Sequence, residues 1–209
     1  MTAPFRLEPL HGQHDRSTFA SGEEALDRYF RTQVTQDIRR RIANCFVAVD
    51  VATGQVVAYY TIASTSIPTP DLPPEEAKRL PRYPTMPAVR IGRLAVDHRF
   101  RGRGLGSALL ADAARRALNA APAAFALVVD AKNDQAITFY QHHGFQQLAS
   151  PPGTLFLPLA TAAKILLDPP TSKLPSLPTV PKTVLIAIEF RRLGHMDYIS
   201  FGDTRANHE

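Results

Sequence analysis

The chain has 209 residues, which is enough for one substantial domain and a short appendage. Hydrophobic residues make up 44% and charged residues 21%, no apolar run is long enough to span a bilayer, and the N-terminus lacks an export signal. We therefore expect a cytoplasmic globular protein without a membrane segment. The formal net charge of +5 comes mostly from arginine and favours an anionic partner such as a nucleotide cofactor or RNA, although genome composition explains it equally well.

Residues 5–9 predict a short first strand, and helix-start signals follow them. Ser21 is expected to cap a helix, with Glu24 at the capping-box position. Apolar side chains then recur at helical spacing, namely Leu26, Tyr29 and Phe30. A second helix is predicted over residues 32–42 and ends in arginines, where cations suit the helix dipole.

Two β-rich runs, at residues 45–50 and 55–64, are separated by Ala-Thr-Gly and predict a hairpin. The first run contains the single cysteine, Cys45, which excludes an intramolecular disulfide and is expected to be a buried structural thiol. Residues 67–87 are rich in proline and predict a long loop with one short helical candidate at 74–80.

The rest of the chain alternates between strands and helices before its composition changes. We predict a strand over 88–96, a Gly/Arg loop, a helix over 105–119, an apolar strand over 124–130, a helix over 133–142 closed by Gly144, a strand over 154–159 and an apolar helix over 161–167. Proline then becomes frequent. We therefore divide the chain into a domain at 1–167 and a linker with a tail at 168–209, including one possible strand at 183–190.

The strongest functional signal is the Gly/Arg loop between the strand at 88–96 and the next helix. It contains Arg101-x-x-Gly104-x-Gly106, and glycines there let the backbone approach a phosphate without interference from a Cβ atom. Free N–H groups of the loop and the first helical turn can bind the anion, and Arg101 and Arg103 can add charged contacts. A Walker A motif is excluded because no Gly-Lys-Ser/Thr follows, and the spacing differs from the Rossmann fingerprint.

A second signal is the segment at 133–145, which runs Asn133-Asp-Gln-Ala-Ile-Thr-Phe-Tyr-Gln-His-His-Gly-Phe. Alone, it predicts an amphipathic helix with Ala136, Phe139 and Tyr140 in the core. Together with the Gly/Arg loop, it resembles the signature of the GNAT superfamily of N-acetyltransferases, over about residues 5–160. The resemblance implies an α/β (α+β) fold whose central sheet is mixed, mostly antiparallel, splayed at the acetyl-CoA site and flanked by helices.

The same resemblance implies acetyl-CoA as co-substrate. In this superfamily the Gly/Arg loop binds the CoA pyrophosphate, the pantetheine arm runs along the preceding strand, and the residues matching Asn133 and Tyr140 lie at the cofactor and beside its sulfur. The implied cofactor-binding residues are Leu94, Ala95, Val96, Arg101, Gly102, Arg103, Gly104, Leu105, Gly106, Ser107, Asn133 and Phe139.

A narrower resemblance rests on Phe19-x-Ser-Gly-x-x-x-Leu-Asp-x-Tyr29, on the basic helix end that follows it, and on Arg93-Leu-Ala-Val-Asp and Phe139-Tyr-x-x-x-Gly-Phe. The N-terminal piece is the discriminating part. These residues resemble the TacT/AtaT-like acetyltransferase toxins of type II toxin–antitoxin modules. That likeness implies acetylation of the α-amine of aminoacyl-tRNA, a block of translation and a homodimer. It also implies neutralisation by a ribbon–helix–helix (DUF1778-type) antitoxin, whose complex with the toxin binds operator DNA. The tail beyond Leu167 departs from the family, whose members usually end near that point.

Acetyl transfer needs an acid, and Tyr140 is the natural one because a phenol with a pKa near 10 can donate a proton to the departing thiolate. A backbone N–H of residues 94–96 can bind the thioester oxygen. Asp97 and Asp130 both remain open as general bases, although each occupies a position typical of a strand-end cap. An α-amine, with a pKa of about 7.7–8.0, needs little help from a base.

Arginines outside the loop are candidates for binding RNA phosphates, with an ordinary solvated face as the alternative. They are Arg39, Arg40, Arg90 and Arg93, although strand alternation can turn one of the last two inward. We expect no metal, because His142 and His143 lack further ligands at suitable spacing and are predicted to form a solvated pair. Two other functions stay open: a housekeeping acetyltransferase acting on a small amine or a protein N-terminus, and a non-catalytic cofactor-binding regulator, against which Tyr140 argues.

Overall fold

Seven strands form one sheet in residues 4–167, the part of the chain that the computed structural model describes. They are β1 (Phe5–Pro9), β2 (Asn44–Asp50), β3 (Val56–Pro68), β4 (Thr85–Val96), β5 (Ala126–Asp130), β6 (Gln146–Gln147) and β7 (Thr154–Pro158). Their order across the sheet is β1-β2-β3-β4-β5-β7-β6, and every neighbouring pair is antiparallel except β4 and β5. The predicted mixed, mostly antiparallel sheet is confirmed.

Helices cover both faces of the sheet. Within the described residues they are α1 (Glu24–Thr32), α2 (Val34–Arg39), α3 (Pro74–Ala77), α4 (Leu105–Leu118), α5 (Asp134–His142) and α6 (Leu159–Leu167). Side chains of α4, α5 and α6 pack on one face, and those of α1 and α2 pack on the other. None of the helices in this part of the chain has the length and apolar character needed to cross a bilayer.

The larger core lies between α4 and the sheet, and its origin is the apolar spacing along α4. Leu105, Leu109, Ala113 and Ala117 recur every four residues and are all buried. The helix begins after Gly104, whose φ of 75° is a left-handed conformation that glycine adopts without steric cost. The Gly/Arg loop is therefore held at the N-terminus of a firmly packed helix.

A smaller core joins α1 and α2 to the opposite face. Phe30 stacks on Tyr59 with ring centroids 4.1 Å apart, and Phe19 meets both rings edge-on. Cys45 lies in the same cluster, where burial raises the pKa of its thiol to about 12. The prediction that Cys45 is a buried structural thiol is confirmed.

The predicted capping role of Ser21 is wrong. The first helix begins at Glu24 with Glu23 at its N-cap position, and no side chain caps it. The Ser21 hydroxyl instead donates a hydrogen bond to Asp27 at 2.5 Å, and its backbone N–H donates to the same oxygen at 2.8 Å. The Ser21 hydroxyl, which the sequence pattern assigned to the helix end, therefore binds the buried carboxylate of Asp27 one turn into the helix.

Several predicted boundaries also shift. The proline-rich loop is shorter than residues 67–87, because β3 continues to Pro68 and β4 already begins at Thr85. Pro87 is tolerated in β4 because β5 first pairs at the next residue, so no ladder bond to β5 needs its missing N–H. The helix predicted over 32–42 ends at Arg39, and the left-handed φ of 57° at Arg41 follows it. The possible strand at 183–190 and the tail at 168–209 lie outside the described residues.

Candidate active site

A β-bulge on β4 creates the opening of the site. Thr61 of β3 lies opposite Arg93, whereas the next residue, Ile62, lies opposite Ile91, so Gly92 is an extra residue on β4. A Cβ atom on Gly92 would lie 3.3 Å from the Thr61 hydroxyl oxygen, which is tight for any side chain. Glycine therefore fits the bulge, and the strand changes direction there.

Pairing between β4 and β5 ends at the same level. The last parallel pair is Ile91 with Val129, and β4 then continues to Val96 while β5 ends at Asp130. Beyond the bulge, the β5-facing edge of residues 92–96 is not paired with β5, and it offers backbone N–H and C=O groups to the gap left there. The loss of pairing lies where the sequence predicted that the sheet splays.

A cleft of about 210 Å³ lies where this gap meets the N-terminus of α4. Gly102 and Gly104 both have positive φ, 74° and 75°, so the loop exposes its backbone to the cleft. The helix dipole and the unpaired N–H groups of the first turn make this end of α4 suitable for an anion. The cleft is lined by Val96, Phe100, Arg101, Gly102, Gly104, Leu105, Gly106, Ser107 and Phe139.

The floor of the cleft depends on contacts between α4 and α5. A Cβ atom on Gly106 would lie 3.2 Å from the ring of Phe139, so glycine lets the two helices approach. The Ser107 hydroxyl lies 2.8 Å from Nε2 of His143, and Nδ1 of His143 lies 2.8 Å from the backbone oxygen of Phe139. Because that carbonyl can only accept, Nδ1 carries a proton and the ring fixes the Ser107 side chain.

The predicted solvated histidine pair is therefore half wrong. His142 is exposed, whereas His143 is only 4% exposed and is held between α4 and α5. His143 follows Phe139 by four residues, a spacing that puts both side chains on the same helical face. Its partner Ser107 lies 36 residues away in sequence, so only the packing of α4 on α5 identifies the contact.

The two loop arginines already make contacts within the chain. Arg101 donates a hydrogen bond to the backbone oxygen of Ser21. The guanidinium carbon of Arg103 lies 4.8 Å from the ring centroid of Phe100, a cleft residue that the sequence did not single out. The segment before α1 is thus tied directly to the loop.

Tyr140 lies beside the cleft residues on α5. Its ring is partly buried against Phe139 and Phe145, at centroid distances of 5.3 and 5.4 Å. Burial, aided by the negative charge of Asp130, raises the pKa of the phenol to about 12. The hydroxyl therefore keeps its proton at physiological pH and is able to act as an acid.

The remaining predicted cofactor residues do not line the cleft. Leu94 packs against the α4 core, whereas Ala95 is buried on the opposite face, so Ala95 can meet a ligand only through its backbone. The Asn133 side chain caps α5 by accepting the N–H of Ala136 at 2.9 Å. Its amide nitrogen is left for other partners.

The two candidate bases differ sharply. Asp97 is fully buried and accepts hydrogen bonds from the N–H of Ala20 and from the backbone and side chain of Arg99. Burial raises the pKa of Asp97, but these bonds outweigh it and lower that pKa to about 2. Asp97 is a structural cap, and Asp130, whose side chain is 53% exposed, is the candidate that faces solvent.

The candidate RNA-binding arginines lie on the face opposite α4. Arg90 forms an ion pair with Asp130, and the guanidinium carbon of Arg93 lies 3.5 Å from the ring centroid of Tyr29 in α1. The bulge at Gly92 explains why both point to the same side despite their odd spacing. Arg39 and Arg40 are exposed at the end of α2, on that side as well.

A histidine cluster away from the cleft also has the ligand types of a metal site. Glu8, His11 and His14 bring one ligand atom each within 4.8 Å of one another. However, Nδ1 of His14 accepts the backbone N–H of His11 at 3.1 Å, and Nε2 lies 2.8 Å from Glu8. Both ring nitrogens are thus used in closing the turn after β1, at the sheet edge three strands from β4.

Comparison with known proteins agrees with this architecture. The acetyltransferase (GNAT) domain family matches residues 41–147. A "tRNA-acetylating toxin" of Mycobacterium tuberculosis is 35% identical over 169 residues, covering 80% of this chain and 98% of the relative. A "probable toxin TacT" of Sinorhizobium fredii is 29% identical, covering 77% and 94% of the two chains.

Solved structures of related toxins superpose on the same region. AtaT in complex with acetyl-methionyl-tRNAfMet matches with a TM-score of 0.71 and 30% identity, covering 75% of this chain and 96% of AtaT. An AtaT variant bound to the C-terminus of the antitoxin AtaR and to acetyl-CoA matches with a TM-score of 0.67 and 26% identity, covering 79% of this chain and 99% of AtaT. A KacTA–DNA complex matches with a TM-score of 0.65 and 26% identity, covering 78% of this chain and 99% of the matched chain. The chain belongs to the GNAT acetyltransferase family, and it is an acyltransferase related to the tRNA-acetylating toxins.

Proposed function

We propose that this chain is a toxin that transfers the acetyl group of acetyl-CoA to the α-amine of aminoacyl-tRNA and so blocks translation. The observation that carries the proposal is the position of the toxin-like N-terminal segment. The backbone oxygen of Ser21 accepts a hydrogen bond from Arg101 in the loop, and the ring of Tyr29 packs against the guanidinium of Arg93 on the face opposite α4. Residues of this toxin-like segment therefore contact an arginine that lines the cleft, Arg101, and one of the arginines proposed to bind RNA, Arg93.

The cleft fits acetyl-CoA in its charge and shape. Backbone N–H groups of residues 102–107, at the N-terminus of α4, suit the pyrophosphate. The open edge of residues 92–96 suits the extended pantetheine arm, and its N–H groups can bind the thioester oxygen. Ser107, fixed by His143, offers a further polar contact, and Phe139 lines the same space. Asn133, at the N-cap of α5, is a further proposed cofactor contact.

Tyr140 then supplies the proton that the chemistry needs. A neutral α-amine attacks the thioester carbonyl, the carbon–sulfur bond breaks, and the departing sulfur takes the phenolic proton. The proton of the attacking nitrogen leaves to solvent, from which Tyr140 is reprotonated. Because an α-amine has a pKa of about 7.7–8.0, roughly a tenth of it is already neutral at pH 7. The reaction as proposed requires no metal.

The partners follow from the same family. Arg39, Arg40, Arg90 and Arg93 are the proposed contacts for the phosphates of tRNA. We propose a ribbon–helix–helix antitoxin, a toxin–antitoxin complex that binds operator DNA, and a homodimeric toxin. AtaT with the C-terminus of AtaR supports an antitoxin as partner, and the KacTA–DNA complex supports DNA binding.

Salt dependence tests the RNA substrate. Transfer to aminoacyl-tRNA should weaken steeply with salt, by somewhat less than one unit of log–log slope for each phosphate contact, while transfer to a small amine should not. The double substitution of Arg90 and Arg93 by Ala should flatten the tRNA slope and preserve acetyl-CoA binding. Arg6→Ala on the edge strand β1 is the matched control, since Arg6 also pairs with a carboxylate. Equal slopes for tRNA and a small amine would instead favour a small-molecule acetyltransferase.

A further inference from the structure

The ion pair between Arg90 and Asp130 joins β4 and β5 at the mouth of the splay. Arg90 lies one residue before the last parallel pair, and Asp130 is the first residue of β5 beyond it. The two oxygens of Asp130 have different partners: Thr154 donates its hydroxyl to Oδ1 at 2.8 Å, and Arg90 pairs with Oδ2. One oxygen is thus fixed by the sheet and the other by a charge.

This pair differs from the other arginine–aspartate pairs of the described residues. Asp97 and Asp112 have side chains no more than 1% exposed, and each is held by several hydrogen bonds. The Arg90 and Asp130 side chains are 38% and 53% exposed. Water and salt screen such a pair, so a competing anion can take Arg90 without leaving a buried charge behind.

Asp130 also lies close enough to the proposed acid, Tyr140, to act on its charge state. Burial raises the pKa of the Tyr140 phenol, and the negative charge of Asp130 adds to that increase. Asp130 stands at the end of β5, across the gap from the bulge at Gly92. A carboxylate there can accept a hydrogen bond from an amine and direct the nitrogen lone pair towards the gap. While Arg90 occupies Oδ2, that acceptor position is blocked.

We propose that Arg90 and Asp130 form an exchangeable acceptor site, in which a phosphate draws Arg90 away and frees Asp130 to hold the amine. The inference rests on the proposed function and adds a mechanism for choosing the acceptor. In aminoacyl-tRNA the amino acid that carries the α-amine is esterified to the ribose of the terminal nucleotide, which also carries a phosphate, so one substrate can satisfy both residues. A free amino acid or its ester carries no phosphate, so it meets an Asp130 that is already neutralised by Arg90.

Two acceptors test the exchange, aminoacyl-tRNA and the methyl ester of the same amino acid. Arg90→Ala should lower kcat/KM for the tRNA about tenfold or more and raise kcat/KM for the ester about fivefold or more. Asp130→Asn should lower kcat/KM for the tRNA about tenfold or more, because Thr154 keeps the amide oxygen and the amine meets an amide nitrogen that cannot accept. It should change kcat/KM for the ester little, because in the wild type the ester meets an Asp130 that is already paired with Arg90. Arg90→Gln should give the same result as Arg90→Ala. Because Gln keeps much of the side-chain volume without the charge, it shows that the effect comes from the lost charge and not from lost packing. Arg6→Ala is the control and should change neither acceptor selectively.

The outcomes separate this inference from the proposed function. If Arg90→Ala and Arg90→Gln leave transfer to the ester unchanged or lower it, the exchange is wrong and Arg90 is an ordinary phosphate contact. Calorimetric binding of acetyl-CoA to each variant checks that the fold is intact. If wild-type protein fails to acetylate aminoacyl-tRNA, the proposed function itself is wrong, whatever the variants do with the ester.

Discussion

Substitution of Tyr140 by Phe removes only the hydroxyl and so tests whether this group is the general acid of the reaction. Tyr140→Phe keeps the ring that packs against Phe139 and Phe145, so the fold should lose about 1 kcal/mol or less. The hydroxyl holds its proton because its pKa is about 12. A positioned acid contributes about 10²- to 10⁴-fold, which corresponds to about 3–5 kcal/mol of barrier at 1.36 kcal/mol per tenfold.

The assay follows release of the CoA thiol with aminoacyl-tRNA as acceptor. Turnover of Tyr140→Phe should fall at least about 10²-fold, while calorimetry should give an acetyl-CoA affinity close to that of wild type. Tyr83→Phe is the matched control, because Tyr83 is 62% exposed in the loop before β4, and it should be fully active. Wild-type turnover in Tyr140→Phe would refute the assignment of Tyr140 as the acid.

The pH dependence gives a second check on the same residue. The raised pKa of Tyr140 means that the acid is present below about pH 12 and is lost only above it. The wild-type rate should therefore rise through the pKa of the acceptor amine, about 7.7–8.0, and stay level to about pH 10. A fall in rate between pH 8 and 10 would indicate that another group supplies the proton.

Three further predictions concern the cleft, the loop and the tail. Gly104→Asp should abolish acetyl-CoA binding in calorimetry by placing a carboxylate and a Cβ atom at the anion site, whereas Gly54→Asp, at a hairpin glycine with a φ of 71°, should bind normally. Asp97→Asn should lower the free energy of unfolding, measured with urea at pH 7, by about 2 kcal/mol. The difference from wild type should disappear between about pH 4 and 2, because wild type loses this stability as Asp97 is protonated. Deleting residues 169–209 should leave transfer intact, and an inactive truncation would show that the tail contributes to the site.

The local parts of the site were predictable because their signals are local. Glycine spacing and apolar periodicity placed the loop at 101–106 before α4, and the helix after Asn133, within a residue or two of their observed bounds. Neither motif depends on distant partners, since backbone conformation and a single amphipathic face determine both. Their convergence on one cleft required the fold.

Features set by register or by contacts between distant segments were not predictable. The bulge at Gly92 exists only in the pairing of β4 with β3, and it alone puts Arg90 and Arg93 on one face. The burial of His143 depends on α4, and the loss of Ser21 as a helix cap depends on a buried carboxylate. In each case tertiary contacts override what the local pattern favours.

The central claim is that the acetyl group is transferred to the α-amine of an amino acid esterified to tRNA. Incubation with labelled acetyl-CoA and charged tRNA, followed by nuclease digestion and mass spectrometry, tests it directly. We expect N-acetyl-aminoacyl-adenosine as the labelled product, with no label on deacylated tRNA. Label on a nucleobase, on protein alone or on a free small amine, with charged tRNA untouched, would contradict it.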